Sequence, residues 1–503
     1  MAAQVMKAYA CAAVLAVCRV AAGGPFSAPT FECQDREIET TYNFRWEVFR
    51  RHIKETENGF VVTEFTPNVY WSGKHNTINC AAGHHLLEAR WLHDDRVFRD
   101  YLKFYFRAGR MSGRGAYVCW PAYAALEFVK TTGDREFAKE TVQFLAFNYE
   151  DWERGWRVYA YGGKSTFLIG FDADAGLFRV TDEYEGAENS VSGDGFRPLI
   201  NSAMYAEAAA IAELARLAGR LELAEEYGRK AAALAARINE KLWNGERKFF
   251  NTLGPDGKLV PTRELFGYAP WYFDLPMEPT RGIAFAELFS DDGFHAPFGL
   301  TGVERRDPSF KIEYDLTGPA VKRNGPTWPY ETTIALRALE RAIRRGAAGA
   351  VRDGYAALLH QYAAAQRLTR DDGTVVPWID EDLDPFTGKW IAREVFRRRR
   401  DAKKMDRGRD YNHSGFCDLV ICGYCGIVPR ADDVLEVRPL APADLAYFRL
   451  SDVKYHGRSV SIEWDRDGSR YARAGLSVYV DGEFRAGAAA LADGVEFSIS
   501  KKR

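Results

Sequence analysis

Two short acidic stretches, nearly two hundred residues apart, carry the side chains best suited to acid–base chemistry. Residues 186–190 read Gly-Ala-Glu-Asn-Ser and contain Glu188, and residues 380–382 read Asp-Glu-Asp and contain Glu381. A protonated carboxyl group and an ionised one on either side of a glycosidic bond can protonate the leaving oxygen and activate water. Acids beside turn-forming residues are also typical of solvated loops, so the residue types alone do not assign this chemistry.

The elements that would hold these acids are predicted to be helical hairpins. Apolar helical stretches repeatedly stop at short Gly- or Asp-containing turns and restart, which indicates antiparallel neighbouring helices. These turns lie near residues 93–95, 131–134, 219–220 and 346–348. The connections between hairpins are long, near residues 155–197, 245–327 and 371–412. Long connections usually carry function, so we expect a barrel of hairpins whose loop-bearing end holds the site.

The predicted domain organisation has four parts. Residues 1–24 have the character of a secretory signal peptide, with Lys7 before an apolar stretch and small residues at its end. Residues 25–75 are predicted to be an N-terminal arm and residues 76–432 the barrel. Residues 433–503 alternate between apolar and polar side chains and contain Asp-Gly turns, which predicts a small C-terminal β-domain. We therefore expect a periplasmic or extracellular protein.

Composition and charge exclude several classes of partner. The formal net charge of the 503 residues is −2, so no overall field attracts nucleic acid. After the N-terminal stretch, no run approaches the ~18 apolar residues that a membrane span needs. No metal-ligand spacing or glycine-rich phosphate loop is present, and no cofactor or metal is predicted. The six cysteines after residue 24 permit disulfides in an exported chain.

Three motifs occur in a fixed order along the barrel region. They are residues 186–190, residues 324–329 (Asn-Gly-Pro-Thr-Trp-Pro) and residues 381–388 (Glu-Asp-Leu-Asp-Pro-Phe-Thr-Gly). The set resembles the Gly-x-Asp-Asn-Ser, Arg-Gly-Pro-x-Trp and Glu-x-Tyr-Asp-Pro-x-Thr-Gly segments of (α/α)6-barrel glycosidases. That group, around glycoside hydrolase family 63, includes trehalases, processing α-glucosidases and mannosylglycerate hydrolases. The resemblance implies a mainly α fold, namely an (α/α)6 toroid of helical hairpins with a small C-terminal β-domain.

The same resemblance implies an inverting, exo-acting glycoside hydrolase with a carbohydrate substrate. Glu188 falls at the position of the general acid and Glu381 at that of the general base; Asp194 is the reserve candidate for the acid. Aromatic rings stack on sugars, and charged side chains can bind hydroxyl or carboxylate groups. The predicted substrate contacts are Trp71, Lys74, Asp194, Arg197, Trp271, Tyr272, Trp328 and Trp378.

Departures from the family pattern leave alternatives open. Glu188 stands where the family has Asp, and Leu383 stands where it has Tyr. Because Glu reaches about one methylene further than Asp, the loop geometry or the substrate must differ. One alternative is a β-linked or furanosidic specificity on the same scaffold. A second is a catalytically weak glycan-binding protein, and the basic run from Arg397 leaves a phosphorolytic reaction open.

Overall fold

The computed structural model describes most of the chain after the predicted signal peptide. The described residues are 26–66, 68–69, 72–107, 117–159, 166–314, 322–347, 349–401 and 403–500. The predicted signal at residues 1–24 and the predicted substrate contact Trp71 lie outside them.

Helices dominate the described residues up to residue 424. The α-helices are α1 (Arg36–His52), α2 (Asn79–Ala89), α3 (Arg96–Arg107), α4 (Pro121–Thr132), α5 (Arg135–Arg154), α6 (Asp182–Glu185), α7 (Pro198–Leu217), α8 (Leu221–Lys241), α9 (Ala269–Tyr272), α10 (Pro329–Arg344), α11 (Arg352–Ala365), α12 (Ile391–Arg398) and α13 (Phe416–Asp418). Two 3-10 helices span Leu265–Tyr268 and Pro279–Phe289, and a π-helix, Leu419–Tyr424, continues α13.

The inner helices close a ring. In sequence order α2, α4, α7, α9, α10 and the α13–π segment each pack against the next, and the last packs against α2. A helix that is apolar on every side must be buried on every side, and all residues of α2 and of the α13–π segment are buried. The predicted barrel is therefore a closed toroid.

Each inner helix is covered by an outer one with a single buried face. The outer partners are α3, α5, α8, the 3-10 helix Pro279–Phe289, α11 and α1. In α8 the buried residues repeat at helical spacing, whereas the opposite face is exposed. Gly133 and Gly219 adopt left-handed conformations in the α4–α5 and α7–α8 turns, with φ of 73° and 74°. These six pairs confirm the (α/α)6 architecture.

Short strands lie in the connections of the toroid, and longer strands form the C-terminal domain. The strands are β1 (Thr30–Cys33), β2 (Ile53–Thr56), β3 (Gly59–Val62), β4 (Trp156–Tyr159), β5 (Thr166–Asp172), β6 (Leu177–Arg179), β7 (Trp243–Asn244), β8 (Phe249–Phe250), β9 (His295–Ala296), β10 (Gly299–Leu300), β11 (Arg367–Thr369), β12 (Val375–Pro377), β13 (Ile427–Val428), β14 (Val434–Val437), β15 (Tyr447–Tyr455), β16 (Arg458–Asp465), β17 (Gly475–Val480), β18 (Glu483–Ala488) and β19 (Val495–Ser498). Antiparallel sheets have the orders β1-β15-β16-β17-β18 and β13-β14-β19.

Strand β1 joins the start of the chain to the C-terminal sheet. Thr30 pairs with Ser451 and Cys33 with Phe448, so β1 covers an edge of β15 that would otherwise be open. The six cysteines between residues 33 and 425 are free and buried, although disulfides were possible from the sequence. Among the described residues, no helix is both long enough and apolar enough to cross a bilayer.

Candidate active site

Glu188 lies in a tightly turned loop between β6 and α7. The one-turn helix α6 begins after Thr181, whose Oγ1 accepts a backbone N–H at 3.1 Å, and ends at Gly186 with φ of 93°. A Cβ at position 186 would stand 2.7 Å from the Sγ of Cys80 in α2. Asn189 is also left-handed, with φ of 64°. A glycine is therefore needed where the loop crosses α2, just before Glu188.

Glu264 anchors the other end of this loop. Its Oε1 accepts a hydrogen bond from the Ser190 hydroxyl at 2.7 Å and from the Ser192 N–H at 3.2 Å. The Ser192 hydroxyl donates to the second carboxylate oxygen. A carboxylate that accepts several hydrogen bonds holds its donors in one geometry, so Glu264 fixes the loop that carries Glu188.

Arg197 and Asp194, two predicted substrate contacts, bind this loop. The Arg197 side chain is buried, forms an ion pair with Glu185 and donates to the Gly193 carbonyl at 2.6 Å. Asp194 accepts the Asp182 N–H at 3.1 Å, at the first turn of α6. Their observed contacts stabilise the loop, and their roles towards a substrate stay predictions.

Glu381 is held beside the segment before α10 by a short β-bridge. The N–H and C=O groups of Thr327 and Leu383 exchange two hydrogen bonds, both at 2.9 Å. After the bridge, Asp384 accepts the backbone N–H groups of Phe386 and Thr387 and turns the chain. The bridge therefore sets residues 323–328 against residues 381–384, which joins two of the three sequence motifs.

Arg323 lies at the centre of the resulting cluster. It donates to Glu381 Oε1 at 3.0 Å and to Asp382, and its guanidinium carbon lies 3.6 Å from the centre of the Trp328 ring. Burial alone would lower the pKa of Arg323, but the carboxylates of Asp382 and Glu381 raise it well above the usual value. A permanently charged guanidinium therefore faces the predicted base, and its charge also acts on Glu188.

Glu188 has a different environment. Its Oε1 accepts a hydrogen bond from the Tyr117 hydroxyl at 3.1 Å. Burial raises the pKa of Glu188; the charge of Arg323 opposes this effect, and the negative charge of Glu381 adds to it. The structure thus brings Glu188 and Glu381 close enough to interact electrostatically, and the net effect of these surroundings is to raise the pKa of Glu188.

Two further charged groups flank Glu381. Asp380 Oδ1 accepts the Glu381 N–H at 2.7 Å, and burial raises the pKa of Asp380 to about 7. Arg407 Nη2 lies 3.9 Å from Glu381 Oε2, whereas Arg323 contacts the other carboxylate oxygen. Glu381, whose side chain is 18% exposed, therefore meets one guanidinium at each carboxylate oxygen and still reaches solvent.

The remaining predicted substrate contacts lie at different depths. Trp328 is buried under Arg323, and its indole N–H donates to the Tyr411 hydroxyl at 2.8 Å. Trp271 and Tyr272 belong to α9 and are 5% and 1% exposed, within the core. Lys74 is exposed and forms an ion pair with Glu57.

Trp378, the last of the predicted substrate contacts, belongs to a small apolar cluster. It packs with Ile379 and Leu383, and the guanidinium groups of Arg393 and Arg409 lie over its ring. Arg323 therefore contacts Glu381 and Trp328 and acts on Glu188 through its charge, whereas Trp378 lines a cleft to which none of these residues contributes.

Sequence reasoning did not single out Arg323, Tyr117 or Glu264 as site residues. Arg323 directly precedes the motif at residues 324–329. Its position next to a family motif was the feature of the sequence that could have identified it as a site residue. Tyr117 and Glu264 lie in no motif, and only their contacts identify them. Among the described residues, no group of three His, Cys, Asp or Glu side chains is suited to hold a metal ion.

The toroid, with two carboxyl groups between its loops, defines a class of protein, the six-hairpin glycoside hydrolases. Comparison with known proteins identifies the family. The model of the mannosylglycerate hydrolase MGH1-like glycoside hydrolase domain matches residues 74–414, and the chain belongs to this family. The model of the glycosyl hydrolase family 65 C-terminal domain matches residues 430–483. The predicted class, a glycoside hydrolase, is confirmed at the level of the family.

Solved structures resemble the chain over most of its length. A sialidase shares 34% identity over 92% of this chain, with a TM-score of 0.81, but this chain spans only 41% of that protein. The glycoside hydrolase family 63 mannosylglycerate hydrolase from Thermus thermophilus in complex with glucose shares 14% identity, covering 76% of this chain and 98% of its own, with a TM-score of 0.51. A family 78 rhamnosidase of Bacillus sp. GL1 shares 15%, over 88% of this chain and 41% of its own, with a TM-score of 0.55. At these low identities the last two support the fold alone.

Proposed function

We propose that this chain is an inverting, exo-acting glycoside hydrolase that cleaves an oligosaccharide or a small glycoside. Glu188 is the general acid and Glu381 the general base. The observation that carries the proposal is the asymmetry around Arg323. Glu381 faces two guanidinium groups, which complement a carboxylate, whereas Glu188 is paired with a neutral phenol and its pKa is raised by burial.

The reaction follows from these two environments. Glu188 donates its proton to the glycosidic oxygen as the bond from that oxygen to the anomeric carbon breaks. Glu381 takes a proton from a water molecule, whose oxygen attacks the anomeric carbon from the opposite face. Inversion requires room for this water, with carboxyl groups about 6.5–9.5 Å apart. Arg323 and the loop that Glu264 anchors hold the two acids in place without touching the bond that breaks.

The leaving group distinguishes the roles of the two acids. Fluoride needs no proton to depart, so Glu188→Gln should lose about 10²–10⁴-fold in kcat/KM on an ordinary glycoside but much less on the glycosyl fluoride. Glu381→Gln should lose activity on both, because each reaction needs the activated water. Proton NMR of the first product should show the inverted anomer and a single released monosaccharide.

Asp194→Asn is the matched control. We expect it to retain activity on both substrates, since Asp194 binds the backbone of α6. If Asp194→Asn loses activity on the ordinary glycoside but keeps it on the glycosyl fluoride, and Glu188→Gln does not behave in this way, the acid is Asp194. If neither Glu188→Gln nor Glu381→Gln reduces turnover on the best substrate, the mechanism is wrong.

Activity measured on a panel of glycosides will identify the sugar that the enzyme releases. The panel includes mannosylglycerate, rhamnosides and sialosides, after the names of the similar proteins, together with β-linked and furanosidic glycosides. The replacement of the family's Asp by Glu188 is the feature that favours a different specificity on this scaffold. Glycan binding without turnover of any panel member would instead support a binding protein.

We also propose that the protein is exported to the periplasm or the extracellular space. The support is the N-terminal sequence, in which Lys7 precedes an apolar stretch that ends in small residues. N-terminal sequencing of the secreted protein should give a first residue near position 25. An intact N-terminus on protein recovered from the cytoplasm would contradict the proposal.

A further inference from the structure

A cleft of about 540 Å³ lies on the toroid beside α1, the β11–β12 hairpin and α12. This volume is in the range of sites that bind small ligands. Glu188, Glu381 and Arg323 are not among the residues that line it. The cleft is therefore lined by other residues than the carboxylate pair, and Arg407, which approaches Glu381, lies within the loop that forms one wall.

The walls of the cleft are charged but balanced. Five arginines and five carboxylates line it. Several are already paired across the cleft, Arg51 with Asp410 at 2.9 Å, Arg397 with Asp371 at 3.2 Å, and Arg393 with Asp406. Because these positive and negative groups are equal in number, the lining of the cleft carries no formal net charge. It presents instead fixed donors and acceptors, the groups that bind hydroxyls.

Trp378 is one of several apolar residues that line the cleft, with Phe44, Leu368, Val376 and Pro377 among the others. Its side chain is 8% exposed, and its indole N–H is buried with no hydrogen-bond partner among the described residues. Leaving a buried donor unsatisfied costs about 1–3 kcal/mol, which a hydrogen bond to a ligand or to an ordered water molecule would recover. An indole next to paired guanidinium and carboxylate groups is the combination that suits a sugar ring and its hydroxyls.

We propose that this cleft is a second saccharide-binding site that takes a neutral oligosaccharide. The arginines donate to ring and hydroxyl oxygens, the carboxylates accept from vicinal hydroxyls, and the exposed part of Trp378 adds an apolar contact. The site holds the glycan outside the catalytic centre and performs no chemistry. It goes beyond the proposed function, since it binds glycan whether or not Glu188 and Glu381 are the catalytic pair.

Strand β12 offers a blocking variant with a matched control. Val376 lines the cleft, whereas the adjacent Val375 does not and is 60% exposed. Successive residues of a strand point to opposite faces, so Val376→Trp fills the cleft and Val375→Trp adds the same side chain outside it. Arg51→Gln removes one cleft donor without adding volume and serves if Val376→Trp does not fold.

Binding is measured on an array of immobilised neutral, uronate-containing and sulfated oligosaccharides. The protein carries Glu188→Gln and Glu381→Gln, so that no array glycan is hydrolysed. We expect binding to neutral glycans that Val376→Trp weakens about tenfold or more and Arg51→Gln weakens in the same direction, while Val375→Trp leaves it unchanged. In the otherwise wild-type protein, Val376→Trp should leave kcat/KM on the best small glycoside of the panel within about twofold.

Each other outcome overturns the inference. Absence of neutral-glycan binding, or binding that Val376→Trp does not affect, removes the second site. Binding restricted to uronate or sulfated glycans contradicts the neutral class that the charge balance implies. If Val376→Trp loses both glycan binding and turnover of the small glycoside, the cleft is part of the catalytic site and not a second site. Failure of the proposed function is seen separately, as unchanged turnover in Glu188→Gln and Glu381→Gln.

Discussion

At the scale of single residues, the two glutamates differ in their hydrogen-bond donors. Glu188 accepts a hydrogen bond from the Tyr117 hydroxyl. Glu381 accepts one from the guanidinium of Arg323, which Asp382 and Trp328 hold in position. The same residue type is thereby suited to two roles, because burial raises the pKa of Glu188, whereas two guanidinium groups face the carboxylate of Glu381. The environment of Glu188 can be altered without removing the carboxyl group itself.

Tyr117→Phe tests this environment. The Tyr117 hydrogen bond stabilises ionised Glu188 and so opposes the rise in pKa that burial causes. Without this bond the pKa of Glu188 rises further. Because the acid must be protonated, activity is lost as pH rises through this pKa, and the alkaline limb of kcat/KM should move to higher pH. We expect the rate at the optimum to fall by less than about tenfold.

Tyr227→Phe is the control for this measurement. Tyr227 is another buried tyrosine whose hydroxyl donates to the Ala146 carbonyl at 3.1 Å, between α8 and α5. Its loss should change stability slightly and leave the pH profile where it was. An alkaline limb that moves to lower pH in Tyr117→Phe would contradict the assignment of Glu188 as the acid.

At the scale of the element, the position of Glu188 depends on the turn that ends α6. Gly186 has a φ of 93°, and any Cβ there would meet Cys80 of α2. Strain of this kind cannot relax freely, because Glu264 and Arg197 hold the chain on the other side of the loop. A small change at Gly186 should therefore displace the acid rather than the rest of the toroid.

Gly186→Ala should reduce kcat/KM by about tenfold or more, since small displacements of a catalytic group are costly. The backbone penalty in stability is about 1 kcal/mol, and the contact with Cys80 adds to it. Gly219→Ala, in the α7–α8 turn, is the control, because φ is 74° but no atom lies within 4 Å of the added Cβ. It should lose similar backbone stability and no activity. Equal activities of the two variants would show that the turn does not position Glu188.

At the scale of the whole molecule, the two ends of the described chain complete each other's domains. Helix α1 covers the α13–π segment that closes the inner ring, and β1 extends the C-terminal sheet. Phe31 of β1 joins these parts, since its ring lies 5.3 Å from that of Tyr42 in α1 and 6.2 Å from that of Tyr424. Toroid and sheet therefore share one buried contact region.

Phe31→Ala should lower the free energy of unfolding by about 3–5 kcal/mol, the usual cost of truncating a buried phenylalanine. Denaturant unfolding followed by far-UV and near-UV signals should show helices and sheet destabilised together. Phe484→Ala, at a site that is 42% exposed, should cost less than about 0.5 kcal/mol. A loss confined to the sheet would contradict the shared contact region.

Much of the architecture was predictable because its signals are local. The turns near Gly133 and Gly219, the helical spacing of α8 and the alternation in β16 and β17 are set by residues a few positions apart. The ordered motifs around Glu188, Trp328 and Glu381 likewise predicted the family that the comparisons confirm. Disulfides were possible from the count of cysteines, but pairing depends on distances between thiols, and the structure buries them singly.

The sequence by itself determined the hairpins, the family and the two acids worth testing, since propensity, periodicity and motif order are properties of neighbouring residues. Tertiary structure alone decided that Arg323 contacts Glu381 and that Arg197 forms an ion pair with Glu185. It also decided that Trp378 lines a cleft to which neither Glu188 nor Glu381 contributes. These outcomes depend on contacts between residues that are far apart in the chain. Burial and charge act over a few ångströms in space, and such contacts leave no periodic pattern in the sequence.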